Sequence, residues 1–429
     1  MTSPLGRATS YRPHDRASLV RYLAAIPRLA RLIGGEPSAW QVDEVGDGNL
    51  NLVFKVRGPA GGVAVKQSLP YVRMVGESWP LSLERSHYEH LALVEQARHA
   101  PGLVPAIHHY DASQALFVMD LLEPHIILRR GMIAGTVYPG LAEALAGFAA
   151  RTLYFTSVFA LRAEAMKALI GAFAGNTAMC GISEDLFFTE PYMMAPNNRW
   201  TAPYLDSYAA ALREDDELKI AVSRLKLKFM GETQALLHGD LHTGSIMVTE
   251  TDVRVIDPEF AFVGPMGFDL GSLIANLLLS YLSQDGHERG PGERDAYRDW
   301  IIEQVETFWS AFRERFLALW REAPAGDGYP VVLFESSASA RRLDAEREAW
   351  MDRLYQDTLG FVGTEMIRRI VGLAHNIDFE WIADPARRAR CEARGLRLAS
   401  ELIVAPQGYA SIGALTAAVR ELRAWEPFG

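Results

Sequence analysis

His238-Gly239-Asp240-Leu241-His242, followed by Asp257-Pro258-Glu259, is the stretch of this chain whose reading decides the fold. Asp257 lies 17 positions beyond Asp240. Between them Ser245-Ile-Met-Val-Thr249, a polar Glu250-Thr-Asp252 turn and Val253-Arg-Val-Ile256 read as the two short strands of a hairpin. Such a hairpin holds one acid, placed to accept a hydrogen bond from a substrate hydroxyl, beside two acids able to hold a hard divalent cation. Proline biases the residue before it toward extended backbone, so the side chains of Asp257 and Glu259 are expected to point the same way. Phosphoryl transfer from a nucleotide is the reaction class that needs this set.

Working outward, the bulk composition is that of an ordinary globular chain: 429 residues, 49% hydrophobic and 22% charged, enough for two or three domains with a sizeable core. The net charge of −10 argues against nucleic acid or an anionic membrane as partner, since either would want a basic field, and favours a small-molecule substrate. Two cysteines, Cys180 and Cys391, cannot build a disulfide framework and lack metal-ligand spacing, so both are expected as small buried residues in a reducing cytoplasm. Leu19 to Ile33 carries Arg21, Arg28 and Arg31 among its apolar residues, with Pro27 in the middle, and reads as an amphipathic surface helix and not a targeting signal. The most apolar stretch, Leu270 to Leu282, falls short of the roughly 20 residues a bilayer span needs and is expected as a buried core helix.

Trp40 to Val56 alternates apolar and polar residues around Gly46-Asp47-Gly48-Asn49, and Val63-Ala-Val-Lys66 follows a Gly-rich turn, which predicts an antiparallel sheet. Glu84 to Ala97 has helical spacing, and Ile107 to Leu122 reads as two more strands. Helical patterns dominate afterwards, at Gly140 to Phe159, Arg162 to Phe173, Leu205 to Lys228, Asp269 to Ser283, Ala296 to Glu322, Arg347 to Leu359 and Gly363 to Ala374. The expectation is an α+β, two-lobed molecule: a small β-rich N-lobe over residues 1–122 that binds nucleotide, and a larger helical C-lobe over 123–429 that is catalytic and binds the acceptor.

Several residues carry that chemistry. In Gly46-Asp47-Gly48-Asn49-Leu50-Asn51, Gly and Asn tolerate the backbone of a tight turn approaching phosphates. Lys66 ends an apolar strand, as a lysine paired with α/β-phosphates would, and Glu89 on the following helix can fix it by an ion pair, with Glu84 as the competing candidate. Asp240 is placed to orient a substrate hydroxyl, with His238 tying its loop to the chain and His242 ordering the loop by hydrogen bonds. Asp269 has the look of a helix N-cap and is expected to anchor the same loop. Arg368 and Arg369 project about 100° apart in an otherwise apolar helix, so at least one must meet an acid or a ligand; both alternatives stay open. Arg387, Arg388, Arg390, Arg394 and Arg397 read instead as a solvated helix face.

Together these motifs resemble the aminoglycoside/choline-kinase branch of the protein-kinase-like fold, in which His-Gly-Asp-Leu-His is the catalytic loop. Two departures, Ser245 where that branch has a metal-ligating Asn and Asp257-Pro258-Glu259 as the metal motif, match the methylthioribose kinase subfamily. So do Val65-Lys-Gln67, Pro70-Tyr-Val-Arg73, Gly76-Glu-Ser-Trp-Pro80, Gly244-Ser-Ile246 and Arg368-Arg369-Ile-Val-Gly-Leu-Ala-His375, and the likeness runs from about residue 40 to 405. It implies an ATP- and Mg²⁺-dependent kinase of methionine salvage that phosphorylates the 1-hydroxyl of 5-methylthioribose, working as a cytoplasmic homodimer. It further implies that Asn49 and Lys66 contact nucleotide, that Leu121-Leu122-Glu123 forms the adenine hinge, and that Asp257 and Glu259 hold Mg²⁺. Asp240 is then the base that binds the sugar hydroxyls, Arg368 and Arg369 grip sugar and moving phosphate, and Trp79 lies on a mobile loop near the nucleotide. The rival readings are an aminoglycoside, choline or homoserine kinase of the same fold, and a non-enzymatic nucleotide-binding module.

Overall fold

Seven strands occupy the first part of the chain: β1 (Gln41–Glu44), β2 (Asn51–Arg57), β3 (Gly62–Ser68), β4 (Tyr71–Val72), β5 (Gly76–Pro80), β6 (Ile107–Asp111) and β7 (Leu116–Asp120). The structure is a computed structural model and describes residues 11–46, 50–72 and 76–428. Five strands form one antiparallel sheet in the order β1-β2-β3-β7-β6, with Lys66 of β3 opposite Val53 of β2 and Phe117 of β7. Among the described residues β4 pairs with β5, so Trp79 lies on a short antiparallel strand.

Strand alternation sorts the two faces of the sheet. Val63 and Val65 join Phe54, Val56, Leu116 and Val118 on a core completed by Leu19, Leu23, Leu29, Ile33 and Trp40. The leading segment is two helices, Arg16–Ala24 and Pro27–Ile33, where one was expected. Proline lacks the N–H that an interior helical position must donate, and it is accommodated here as the first residue of the second helix. The apolar sides of both helices join the core while Arg21, Arg28 and Arg31 are exposed, so the amphipathic surface reading holds and only the single helix is corrected. Lys66 faces the other way, where the helix Arg85–His99 carries Glu89.

The described residues up to His125, together with Arg254–Phe260, form one compact unit. Asp257 and Glu259 therefore belong with the sheet, although they are distant from it in sequence. Ile126–Val253 and the described residues from Ala261 onward form the second unit. The strands expected after the catalytic loop are present at Ile246–Val248 and Val253–Val255, and the turn after the first is closed by the Thr249 N–H on the Asp252 carbonyl at 2.9 Å.

The second unit is built around the helix Met266–His287, against which the helices Asp295–Glu322, Ser337–Val371 and Pro385–Val404 pack. Met266–His287 has 22 residues and is long and apolar enough to cross a bilayer, yet its most apolar window is wholly buried in the unit. It is the core helix that was expected, though longer at both ends. Ser337–Val371 runs unbroken for 35 residues where two helices were expected. Gly360 and Gly363 serve close approach and do not terminate the helix. A Cβ at Gly363 would lie 2.5 Å from the Ala399 carbonyl oxygen, and one at Gly360 would lie 2.7 Å from Leu225. Leu205–Lys228, expected as one helix, divides into Asp206–Glu214 and Asp216–Gly231 because Asp215 accepts the Leu218 N–H at 2.9 Å and starts the second. Arg394, expected on a solvated face, is 3% exposed and donates to Asp285 at 2.6 Å. Cys180 and Cys391 are both free, and burial pushes each thiol up to about 12, the state of unreactive cysteines.

Candidate active site

In the first unit a buried lysine is surrounded by acids. Lys66 is 5% exposed; its Nζ donates to Glu89 Oε1 at 2.8 Å and pairs with the Asp257 carboxylate. Of the two glutamates considered as its partner the fold selects Glu89, while Glu84 occupies the N-cap position of the same helix. Glu259, also buried, accepts from Asn51 Nδ2 at 2.8 Å, and Arg85 Nε lies 3.8 Å from it. Arg85 is held in turn by the carbonyl of Leu50 at 3.0 Å and Asn51 Oδ1 at 2.9 Å. Sequence reasoning placed Asn51 only in a turn and did not single out Arg85. A lone arginine at a helix start carries no pattern.

Asp257 departs from the expected extended backbone: its φ is +70°. That left-handed conformation is uncommon for a residue with a Cβ, is best tolerated by Asn and Asp, and is a form of strain that clusters at functional sites. Proline's bias at the preceding position is overridden because the tertiary structure holds the Asp257 carboxylate on Lys66. Even so, ligand oxygens of Glu89, Asp257 and Glu259 all lie within 4.8 Å of one another.

Burial pushes the Glu89 carboxyl up to about 8, against the pull of Lys66 and with the help of Asp257 and Glu259. Burial and the neighbouring Asp257 likewise raise Glu259. For Lys66 burial acts downward, but Asp257, Glu89 and Glu259 outweigh it and its pKa is raised. Three carboxylates thus share two cations, and Glu89 Oε2 is buried with no hydrogen-bond partner among the described residues. That donor set, all oxygen and short of positive charge, fits a hard divalent cation such as Mg²⁺. Glu89 is a ligand candidate beside the two expected ones.

At the end of β7 the Glu123 carboxylate is taken up by Arg57, whose Nε donates at 2.8 Å, and by Lys55 at 3.2 Å. The Arg57 hydrogen bond holds its carboxyl down to about 2. A ligand at Leu121, Leu122 and Glu123 would therefore meet backbone in place of the Glu123 side chain. Asn49 lies outside the described residues.

In the second unit the polarity is inverted, with an acid surrounded by cations. The N–H groups of His238 and Gly239 donate to the two oxygens of Asp269, at 2.6 and 2.9 Å. Asp269 anchors the loop as expected, but from inside the first turn of its helix and not as the N-cap, which is Pro265. His238 Nδ1 accepts the Asp240 N–H at 3.3 Å, and Ser245 Oγ donates to the Asp240 carbonyl at 2.9 Å. Ser245 is thereby occupied in shaping the loop.

The Asp240 carboxylate receives His242 Nε2 on Oδ2 at 3.1 Å and Arg368 Nη2 on Oδ1 at 3.1 Å, with Arg369 Nη2 3.6 Å away. Burial alone would raise Asp240, but His242, Arg368 and Arg369 outweigh it and hold the carboxyl well below its usual value. Both arginines also straddle Glu365, each with Nε at 2.7 Å, and Arg368 lies over the Phe187 ring at 3.8 Å. The question left open for this pair is thus half answered, since both meet acids inside the protein. Arg369 Nη2 remains a buried donor beside Asp240 with no hydrogen-bond partner among the described residues.

Glu365, Arg129, Asn276 and Asp378 complete this network and were not foreseen. Glu365 was legible, three and four positions before the arginines on one helix, which is the spacing at which side chains meet. Arg129 reaches Thr243 Oγ1 at 3.0 Å, Asn276 Oδ1 at 2.6 Å and Asp378 Oδ2 at 3.2 Å. Burial pushes Asp378 up to about 6 even with Arg129 against it.

Residues 41–300 match the family model described as phosphotransferase enzyme family, APH. The chain is 46% identical over 406 residues to Methylthioribose kinase 1 of Oryza sativa subsp. japonica, covering 94% of each. It is 44% identical over 397 residues to Methylthioribose kinase of Escherichia coli O45:K1 (strain S88 / ExPEC), covering 92% of this chain and 94% of that one. With Methylthioribose kinase of Klebsiella pneumoniae (strain 342) the identity is 39% over 414 residues, covering 96% and 98%.

Proposed function

This chain belongs to the methylthioribose kinases within the APH phosphotransferase enzyme family, and from that premise we propose that it transfers the γ-phosphoryl of ATP to the 1-hydroxyl of 5-methylthioribose, giving 5-methylthioribose 1-phosphate. The observation that carries the reading is the Asp240 carboxylate, held ionised by His242 and Arg368 with an unsatisfied Arg369 donor beside it. A carboxylate held so far below its usual pKa is a weak proton acceptor, and its contribution is to receive the hydrogen bond of the acceptor hydroxyl and aim the oxygen. Phosphoryl transfer through a loose transition state asks for that positioning more than for a strong base.

Mg²⁺, when bound by Asp257 and Glu259, would supply positive charge to the phosphate oxygens. Lys66, fixed by Glu89, neutralises the α/β-phosphates, Asn49 contacts the nucleotide, and the backbone of Leu121, Leu122 and Glu123 receives the adenine. Arg368 and Arg369 offset charge on the γ-phosphoryl as it moves. The acceptor cluster itself has no excess of acid: Asp240, Glu365 and Asp378 are matched by Arg129, Arg368 and Arg369. Balanced charge suits an uncharged sugar, whereas a polycationic aminoglycoside wants a surplus of carboxylates. The working enzyme is read as a cytoplasmic homodimer without nucleic-acid or membrane partners, in keeping with its net charge of −10.

A phosphorylation panel with Mg²⁺ and ATP tests the substrate. 5-Methylthioribose should be turned over far better than ribose, choline, homoserine or an aminoglycoside. Preference for any of the last three would replace this reading with its same-fold rival, and absence of turnover with every alcohol would leave a nucleotide-binding module.

A further inference from the structure

The hydrogen bonds around His242 leave its ring one protonation state out of three. Nδ1 faces two donors, the Gly244 N–H at 2.8 Å and Arg129 Nη2 at 3.1 Å, while Nε2 faces the Asp240 carboxylate at 3.1 Å. A proton on Nδ1 would meet both donors head-on and turn the Nε2 lone pair toward a carboxylate. An imidazolium would satisfy Asp240 but set a second positive charge against the guanidinium. Only the neutral ring protonated at Nε2 matches every neighbour.

We propose that Arg129 is a positioning residue of the acceptor site, acting through His242. Arg129 shares Nδ1 with the Gly244 N–H, and its positive charge opposes a second proton, so the ring stays neutral with its proton on Nε2, and that proton fixes Asp240 Oδ2. Oδ1 is then left to Arg368 and to the incoming hydroxyl. Neutrality matters as much as orientation: an imidazolium on Oδ2 would draw charge from the carboxylate and weaken its hold on the acceptor.

The surroundings are arranged to this end. Arg129 sits on the short helix Leu128–Ala134, is 8% exposed, and is braced by Thr243, Asn276 and Asp378. Asn276 in turn donates to Glu365 at 2.8 Å, which links the brace to the acid that holds both catalytic arginines. The charged groups facing His242 are Asp240 on its own loop, Arg129 on that short helix, and Arg369 and Glu365 on Ser337–Val371. Burial first, then Arg369 and Arg129, depress the ring to about 4, and Asp240 opposes them. Glycine at 244 lets the backbone N–H approach the ring this closely, since a Cβ there would lie 2.5 Å from His242.

This inference rests on Asp240 being the acceptor-binding group, and its test reads the ring itself. In the unliganded full-length enzyme labelled with ¹⁵N-histidine, His242 should show an unprotonated Nδ1 and a protonated Nε2 that persist from pH 8 to 5.5. In Arg129→Met the ring should begin to titrate within that range. Its kcat should acquire an acid limb, falling about tenfold per pH unit below the new pKa, while KM for ATP stays within about twofold. His242→Gln keeps a side-chain N–H donor but cannot titrate, so the double variant Arg129→Met/His242→Gln should have a flat profile at reduced rate. If Arg129→Met does not fold, the wild-type spectrum still decides. A proton on Nδ1, or an imidazolium at pH 7, overturns the assignment, as does an acid limb that survives in the double variant. Failure of the substrate panel leaves the ring spectrum untouched, so the two readings fail separately.

Discussion

The two polar clusters are electrostatic opposites. Around Lys66 a cation is enclosed by Glu89, Asp257 and Glu259, and two of those acids are pushed toward protonation. Around Asp240 an acid is enclosed by Arg368, Arg369 and a neutral His242, and its carboxyl is pushed toward ionisation. The difference teaches which half of a transfer each can serve. In the proposed function, the cluster short of positive charge takes the metal–nucleotide, and the cluster with matched charges and one spare donor takes the neutral hydroxyl compound. Burial acts on the carboxyls in the same direction at both places, so the balance of neighbouring cations against neighbouring acids decides the sign.

The largest effect is expected where the acceptor is aimed. Asp240→Ala should lower kcat on the order of 10³-fold, about 4 kcal/mol of barrier, while calorimetric ATP affinity changes by about twofold or less. An alanine variant of ordinary activity would remove Asp240 from its role. Next, Arg369→Lys should lower kcat/KM for the sugar roughly 10- to 100-fold and leave nucleotide binding nearly intact, because an ammonium cannot hold Glu365 and a ligand oxygen together. Equal losses for sugar and nucleotide would blur the division between the clusters.

Metal and pH give a smaller contrast of opposite signs. Glu89 has a folded pKa of about 8 against an ordinary 4.5, so its contribution to the stability of the metal-free protein is full at low pH and is lost as pH rises through 8. Mg²⁺ should therefore raise the Tm more at pH 8.5 than at pH 6, by roughly 2–4 °C, and Glu89→Gln should flatten that difference in thermal melts. Asp240, depressed in the fold, contributes stability that is present at neutral pH and lost as pH falls below its ordinary value of 3.8. Asp240→Asn should accordingly destabilise at pH 7, while Glu89→Gln should stabilise the metal-free protein at pH 8.5. Two variants moving in the same direction would undo the comparison. The smallest catalytic effect is expected at Gly363→Ala, which should cost about 1–3 kcal/mol in denaturant unfolding through its clash with Ala399 and leave kcat unchanged.

Much of this site could be read along the chain because its parts are local. The acids of the catalytic and metal motifs, Lys66 at the end of an apolar strand and the adjacent arginines all stand out by type and spacing. What escaped is what local pattern does not encode. Arg85 and Arg129 have partners that lie far off in the chain, and the two halves of Ser337–Val371 looked separate because a glycine that ends a helix and a glycine that admits a neighbour are the same letter. Asp257 was misjudged for a related reason: proline sets a local preference, and a tertiary ion pair overrode it.

By itself, then, the order of residues determined the fold class, the reaction class and the candidate acids and bases, because those follow from periodicity and side-chain chemistry. Tertiary structure decided the direction in which the Glu89, Glu259 and Asp240 carboxyls shift, the donors that face His242 and the left-handed turn at Asp257. These depend on how many counter-charges and donors surround a buried group, and distant segments bring them there only when the chain is folded.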